Sequence, residues 1–138
     1  MICTFFGNSD CSADIYPLLE KTILDLIQNK KIHDFLVGNH GNYDYFVYTD
    51  LKKIKALYPY VRYSVVLAYM PRKDMLFSEK ETILPDNIET VPKRYCIAYR
   101  NRYMVEKADC VVACIRRGGN AEKYMQLAEK KRKTIIYI

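Results

Sequence analysis

Apolar residues along this chain follow two rhythms, short β-prone runs and longer stretches spaced by three and four, and the two alternate from one end to the other. Ile2-Cys3-Thr4-Phe5-Phe6 is a short apolar run stopped by the turn formers Gly7-Asn8-Ser9-Asp10, which predicts a first strand and its loop. Ile15, Leu18, Leu19, Ile23, Leu26 and Ile27 then recur at helical spacing. Residues 13–30 therefore read as an amphipathic helix, with Ser12 or Asp14 as its cap and Pro17 tolerated in the first turn. Asp34-Phe35-Leu36-Val37 reads as a second strand that stops at Gly38-Asn39-His40-Gly41-Asn42. Phe46, Leu51, Ile54 and Leu57 share one face of a helix over 43–57, which Tyr58-Pro59 ends. The nearly unbroken apolar run over 63–69 is the mark of a strand covered on both sides.

Residues 70–93, with Pro71, Pro85, Pro92 and many charges, break the rhythm. They read as a long excursion over the carboxyl end of the sheet, with a short element at Thr82-Ile83-Leu84. Helical spacing returns over 94–107 through Ile97, Tyr103 and Met104 and leads into a strand over 110–115. Gly118-Gly119, a helix over 119–132 and a last strand over 134–138 complete the chain. Strands joined by helices argue for parallel pairing with right-handed crossovers. The expectation is one α/β domain spanning 1–138, a Rossmann-like three-layer sandwich with a mainly parallel sheet of about five strands.

The 138 residues suffice for one hydrophobic core, and a composition half apolar and 28% charged is ordinary globular usage. No apolar run approaches the ~20 residues of a membrane-spanning helix. The N-terminus has no basic stretch ahead of its apolar run, so neither a signal nor a transit peptide is read and a cytoplasmic location is expected. Five cysteines are an odd number, and Cys3, Cys110 and Cys114 fall in strand-like runs, which suits packed, reduced thiols. Cys110 and Cys114 would stand roughly 13 Å apart along a strand, too far to share an ion, so no metal is expected. A formal charge of +6 gives a general attraction to anions. The cluster Lys130, Lys131, Arg132 and Lys133 is explained as well by the dipole of a helix C-terminus, and a basic balance alone does not establish nucleic-acid binding.

In an open parallel sheet, ligands bind where loops leave the carboxyl ends of the strands. Three such loops here carry glycine: Gly7, the Gly38 to Gly41 pair, and Gly118-Gly119, each ahead of a helix whose free N–H groups favour an anion. Glycine also ends strands in any α/β fold, and none of the three is a complete dinucleotide or Walker motif. Tyr99-Arg100-Asn101-Arg102-Tyr103-Met104 places Arg100 and Asn101 among apolar helical positions, where a guanidinium and an amide suit phosphate or ribose; a solvated face with an ordinary ion pair is the plainer alternative. Asp44 and Glu79 are candidate acceptors for sugar hydroxyls. His40 lies within a glycine loop, whereas His33 reads as a surface residue, and no Gly-x-Ser-x-Gly nucleophile elbow is present.

The ordered series Thr4-Phe5-Phe6-Gly7, Phe35 through Asp44 with its Gly-x-x-Gly-x-x-Asp spacing, Tyr95 through Met104 with Arg-Asn-x-x-Met, Ala108-Asp109 and Gly118-Gly119 resembles the SLOG superfamily. Within it, the chain is most similar to small bacterial proteins of the YspA/YpsA-like kind. The resemblance runs over nearly the whole chain and implies a Rossmann-like fold and a nucleotide-derived ligand. The superfamily also holds the LOG phosphoribohydrolases, which cleave the base from a nucleoside monophosphate with an arginine and a glutamate. Arg100, Met104 and Asp109 keep the spacing of that arginine and its neighbours, but Met125 stands where the catalytic glutamate would be and Glu122 is out of step. Where the family often has Gly-His-Arg after the first strand, this chain has Gly7-Asn8-Ser9, one basic contact fewer.

The resulting expectation is a binding module, with sensing as its role, for a nucleotide, nucleotide sugar or ADP-ribose-like compound. Gly7, Asn8, Ser9, Gly38, Asn39, His40, Gly41, Gly118 and Gly119 would cradle it, with Arg100 and Asn101 on phosphate or ribose, Asp44 and Glu79 on hydroxyls, and no further cofactor. The resemblance adds a homodimer paired through helices. The first alternative is a nucleoside-phosphate N-glycosidase with Glu79 or Asp44 in place of the missing carboxylate; the second is a basic nucleic-acid partner, with salt-dependent association.

Overall fold

Each strand sends successive side chains to opposite faces, and helices cover both faces of the sheet. The computed structural model describes residues 1–73 and 75–138; Asp74, inside the expected excursion, lies outside the described residues. In chain order the elements are β1 (Ile2–Gly7), α1 (Tyr16–Gln28), β2 (Asp34–Val37), α2 (Gly41–Leu57), β3 (Arg62–Val66), β4 (Thr82–Ile83), α3 (Cys96–Lys107), β5 (Cys110–Cys114), α4 (Glu122–Lys130) and β6 (Thr134–Tyr137). The described residues form one six-stranded sheet in the order β4-β3-β2-β1-β5-β6, with every pair parallel.

The chain thus winds outward from β1 to the β4 edge and then returns past β1 to lay down β5 and β6. Cys3, Phe5, Phe35, Val37, Val65, Cys110 and Val112 turn toward α1 and α2, where Leu19, Ile23, Leu26, Val47, Leu51 and Ile54 meet them. Their strand neighbours Phe6, Leu36, Val66, Val111 and Ala113 turn the other way, toward Met104 and Val105 of α3 and Tyr124, Met125 and Ala128 of α4. This is the expected three-layer sandwich. Each fully buried large apolar side chain contributes about 2 kcal/mol to it.

The sheet has six strands, not about five, because the short element expected at Thr82-Ile83-Leu84 pairs its first two residues with Val65 and Val66 of β3. The expected strand over 63–69 ends at Val66: Leu67 still donates to the Ile83 carbonyl at 2.9 Å, and Leu67 and Ala68 are buried outside the ladder. That apolar run records burial, not pairing length. The helix expected over 119–132 spans only Glu122–Lys130, and Arg132, at positive φ, cannot continue it. Ser12 caps a 3-10 turn over Ala13–Ile15 ahead of α1, its hydroxyl accepting from the Asp14 amide at 3.3 Å.

Candidate functional site

β1 and β5 are neighbours at the point where the winding reverses, so the loops leaving their carboxyl ends diverge and open a crevice. A cavity of about 340 Å³ lies there, within the range of small-ligand sites. Its walls come from the loop after β1 (Asn8, Ser9, Asp10), the loop after β5 (Arg116, Gly119, Asn120), and Arg100 and Asn101 of α3. Phe6 and Tyr124 close it on the apolar side, their rings stacked with centroids 5.4 Å apart.

Arg100 is the pivotal side chain. Cys96, Arg100 and Met104, spaced by four, form the inward stripe of α3, and Arg100 is only 2% exposed. Its Nη1 donates to Asn39 Oδ1 at 2.9 Å and to the Val66 carbonyl at 3.1 Å, and its Nε donates to Asn101 Oδ1 at 2.8 Å. Among the described residues, Nη2 has no hydrogen-bond partner. Burial draws the guanidinium below its usual value while the Asp44 carboxyl works against that shift, and an arginine stays cationic throughout. The plainer alternative, a solvated arginine in a surface ion pair, is overturned by this burial. A fixed cation with an open donor is suited to a phosphate or carboxylate oxygen.

Asp44 lines the same cavity and accepts from the His40 amide at 3.0 Å, closing the first turn of α2. Burial pushes its carboxyl up to about 6, against the lowering effects of the His40 amide and the Arg100 charge. It is ionised at neutral pH and gains a proton in mildly acid solution.

The chain matches no family model and no curated protein.

The predicted glycine loops do leave the carboxyl ends of neighbouring strands, but Gly7 and Gly119 line the cavity while Gly38, Asn39, Gly41 and Gly118 do not, and several of their groups are already engaged. Gly7 lines the cavity and also makes room for the Tyr43 ring, where a Cβ would come within 2.3 Å. Tyr43 in turn donates to the Val112 carbonyl at 3.0 Å, so this glycine serves packing as much as ligand approach. Gly41, at φ +89°, packs against Ser9, and the Asn42 amide donates to the Ser9 carbonyl at 2.8 Å; the loops after β1 and β2 are thereby pressed together. Gly38 sits beneath Asp44 and Arg100, and Gly119 faces the Asn8 side chain. The Gly118 amide donates to Glu122 Oε2 at 2.6 Å, so a carboxylate of the following helix holds it. By contrast, the amides of Ser9, Asp10, Asn120 and Ala121, all cavity-lining residues, donate to no partner among the described residues.

Asn8, Ser9, His40, Asp44, Arg100 and Asn101 are thus brought to one cavity, with Asn39 behind Arg100. Glu79 is not: it begins the 3-10 turn Glu79–Glu81 ahead of the edge strand β4, which is separated from β1 by β3 and β2. Among the described residues, none of 70–93 lines the cavity. Met125 is buried beneath α4, away from the cavity. Asp10 and Arg116 were missed from sequence; they pair at 2.8 Å across the crevice. Their signal was position, since both follow directly on strands β1 and β5.

Proposed function

We propose that the chain binds a nucleotide or nucleotide-derived compound, such as a nucleotide sugar or an ADP-ribose-like molecule, in the cavity between β1 and β5. One observation carries the reading: Arg100 is buried, fixed by Asn39, Val66 and Asn101, and has one nitrogen uncommitted at the topological switch point. Phosphate would meet Arg100 and the amides of Ser9, Asp10, Asn120 and Ala121, and the Phe6–Tyr124 stack offers an apolar surface to a base or sugar. The resemblance to SLOG proteins supports the same ligand class. Calorimetric titration with AMP, ADP, ADP-ribose and inorganic phosphate tests it. Binding of at least one nucleotide more tightly than phosphate is expected; no heat with any of them, at millimolar ligand, rejects the reading.

A second reading, nucleoside-phosphate N-glycosidase, is favoured by Asp44, a carboxyl raised to about 6 and lining the cavity with Arg100. A carboxyl in that range is a workable proton donor to a leaving base. Glu79 is too far removed to share the task. Release of free base from nucleoside monophosphates, abolished in Asp44→Asn, would establish turnover; tight binding with no base released leaves the binding reading alone.

A further inference from the structure

We propose that Cys11 and Cys114 form a reversible dithiol–disulfide couple whose oxidation ties the loop after β1 to the carboxyl end of β5, next to the residues of both loops that line the cavity. Their sulfurs lie 3.6 Å apart although the residues are 103 positions apart in the chain. The loops are already held in place for this contact. The Asn8 amide donates to the Cys114 carbonyl at 3.3 Å, and the Cys11 amide donates to the Asn8 carbonyl at 3.1 Å. Cys114 is the last residue of β5 and is anchored in the sheet, whereas Cys11 lies in a loop and can move toward it. Closing to a bonded distance of about 2.05 Å requires a shift of roughly 1.5 Å.

Exposure separates this pair from the other thiols. Cys11 and Cys114 are half-buried and open to a small oxidant, while Cys3, Cys96 and Cys110 are buried. Burial and the hydrogen bond shared with Cys114 push the Cys11 thiol up to about 12, so Cys11 keeps its proton at neutral pH.

The oxidant is a hydroperoxide. The Cys114 sulfur attacks one oxygen of hydrogen peroxide and gives its proton to solvent; the O–O bond breaks, and the departing hydroxide takes up a proton to become water. The resulting sulfenic acid is attacked by the Cys11 sulfur. The S–S bond forms, the S–O bond breaks, and the hydroxyl leaves as water with the Cys11 proton. In sum, two thiols and one peroxide give one disulfide and two waters. A small dithiol reverses the step by exchange. The couple stands whether or not a nucleotide binds in the cavity.

Reduced protein treated with a few equivalents of hydrogen peroxide, alkylated and digested without reductant should yield one cross-linked peptide pair carrying Cys11 and Cys114, with the other thiols alkylated. Dithiothreitol should restore all five thiols. Because the bond closes a long loop, Tm should rise by about 5 °C or more, and amide exchange over 8–12 and 115–120 should slow. Cys11→Ser should leave Cys114 as a sulfenic acid trapped by dimedone, with no rise in Tm, while Cys96→Ser should still form the link. Alkylation of both Cys11 and Cys114 after peroxide, or Cys114 advancing to sulfinic acid in the parent protein while Cys11 stays free, overturns the proposal.

Discussion

Arg100 Nη1 donates to Asn39 Oδ1 at 2.9 Å, joining helix α3 to the loop after β2 beneath the cavity. The bond aims a buried cation, and removing either partner has a different consequence. Arg100→Ala leaves the Val66 carbonyl without its donor and empties a buried volume, so a stability loss of about 2 kcal/mol is expected. Nucleotide affinity should fall at least tenfold. Asn39→Ala keeps the charge but frees its direction, and a loss of about fivefold in affinity with about 1 kcal/mol in stability should follow. Calorimetry on folded variants, with Arg100→Lys as a control that retains charge without the planar fork, checks the order. Equal binding by Arg100→Ala and the parent removes Arg100 from the site.

That arginine also marks how far the sequence could be read. In sequence the apolar spacing of that helix runs through Ile97, Tyr103 and Met104, with Arg100 and Asn101 as polar exceptions; the structure instead turns Cys96, Arg100 and Met104 inward and leaves Ile97 exposed, and a charge on the inward stripe must be paired or functional. The alternation of strands and helices likewise announced the parallel sheet, since both patterns are local. Contacts between loops distant in the chain were not legible: nothing near Asp10 or Cys11 indicates that Arg116 and Cys114 will stand against them. Engagement of the Gly118 amide by Glu122 was hidden for another reason. A glycine loop looks the same in sequence whether its N–H groups await a ligand or are satisfied by their own helix.

Gly41 and Gly118 both have positive φ, yet their surroundings differ. A Cβ at Gly41 would lie 2.5 Å from Ser9 Cα, a backbone atom, whereas nothing lies within 4 Å of one at Gly118. Gly118→Ala should therefore cost only conformational strain, about 1 kcal/mol. Gly41→Ala adds a backbone clash and should cost about 3 kcal/mol while displacing the loop after β1. Urea unfolding of the two variants measures the difference; similar losses would mean that the Gly41–Ser9 approach relaxes freely.

Glu81 accepts from Tyr63 at 2.5 Å and from Tyr48 at 2.9 Å, and it closes a capping box with Ser78. Partial burial pushes its carboxyl up, but the hydrogen bonds from Tyr63, Ser78 and Tyr48 outweigh this and bring it down to about 2. A lowered carboxyl stabilises the fold fully above its unfolded value near 4.5, and that contribution is lost as the pH falls toward 2. Much of the group faces water, so the contribution should be about 1 kcal/mol. Glu81→Gln should lose this amount at pH 7 and show a shallower decline in stability between pH 4.5 and 2. An unchanged acid limb would assign that decline to other carboxylates.

Asp50 is fully buried in α2, and neither of its oxygens has a hydrogen-bond partner among the described residues. Burial pushes its carboxyl up to about 7, and Glu20 adds to the rise while Lys53 opposes it; the Tyr16 hydroxyl is the other titratable neighbour. The sign is opposite to that of Glu81. Between pH 3.8 and about 7 the folded chain holds a proton on Asp50 that the unfolded chain has released, so stability falls as the pH rises through this window and levels off above it. With allowance for solvent and for the Lys53 ammonium, the loss is about 2 kcal/mol. Asp44, raised to about 6, acts in the same direction, so Asp50→Asn should flatten the slope most clearly between pH 6 and 7. Denaturant midpoints across pH 4 to 8 provide the measurement. A parent protein whose stability rises with pH through this window would show that Asp50 is ionised and paired in solution, and that the packing of α1 against α2 opens to admit its partner.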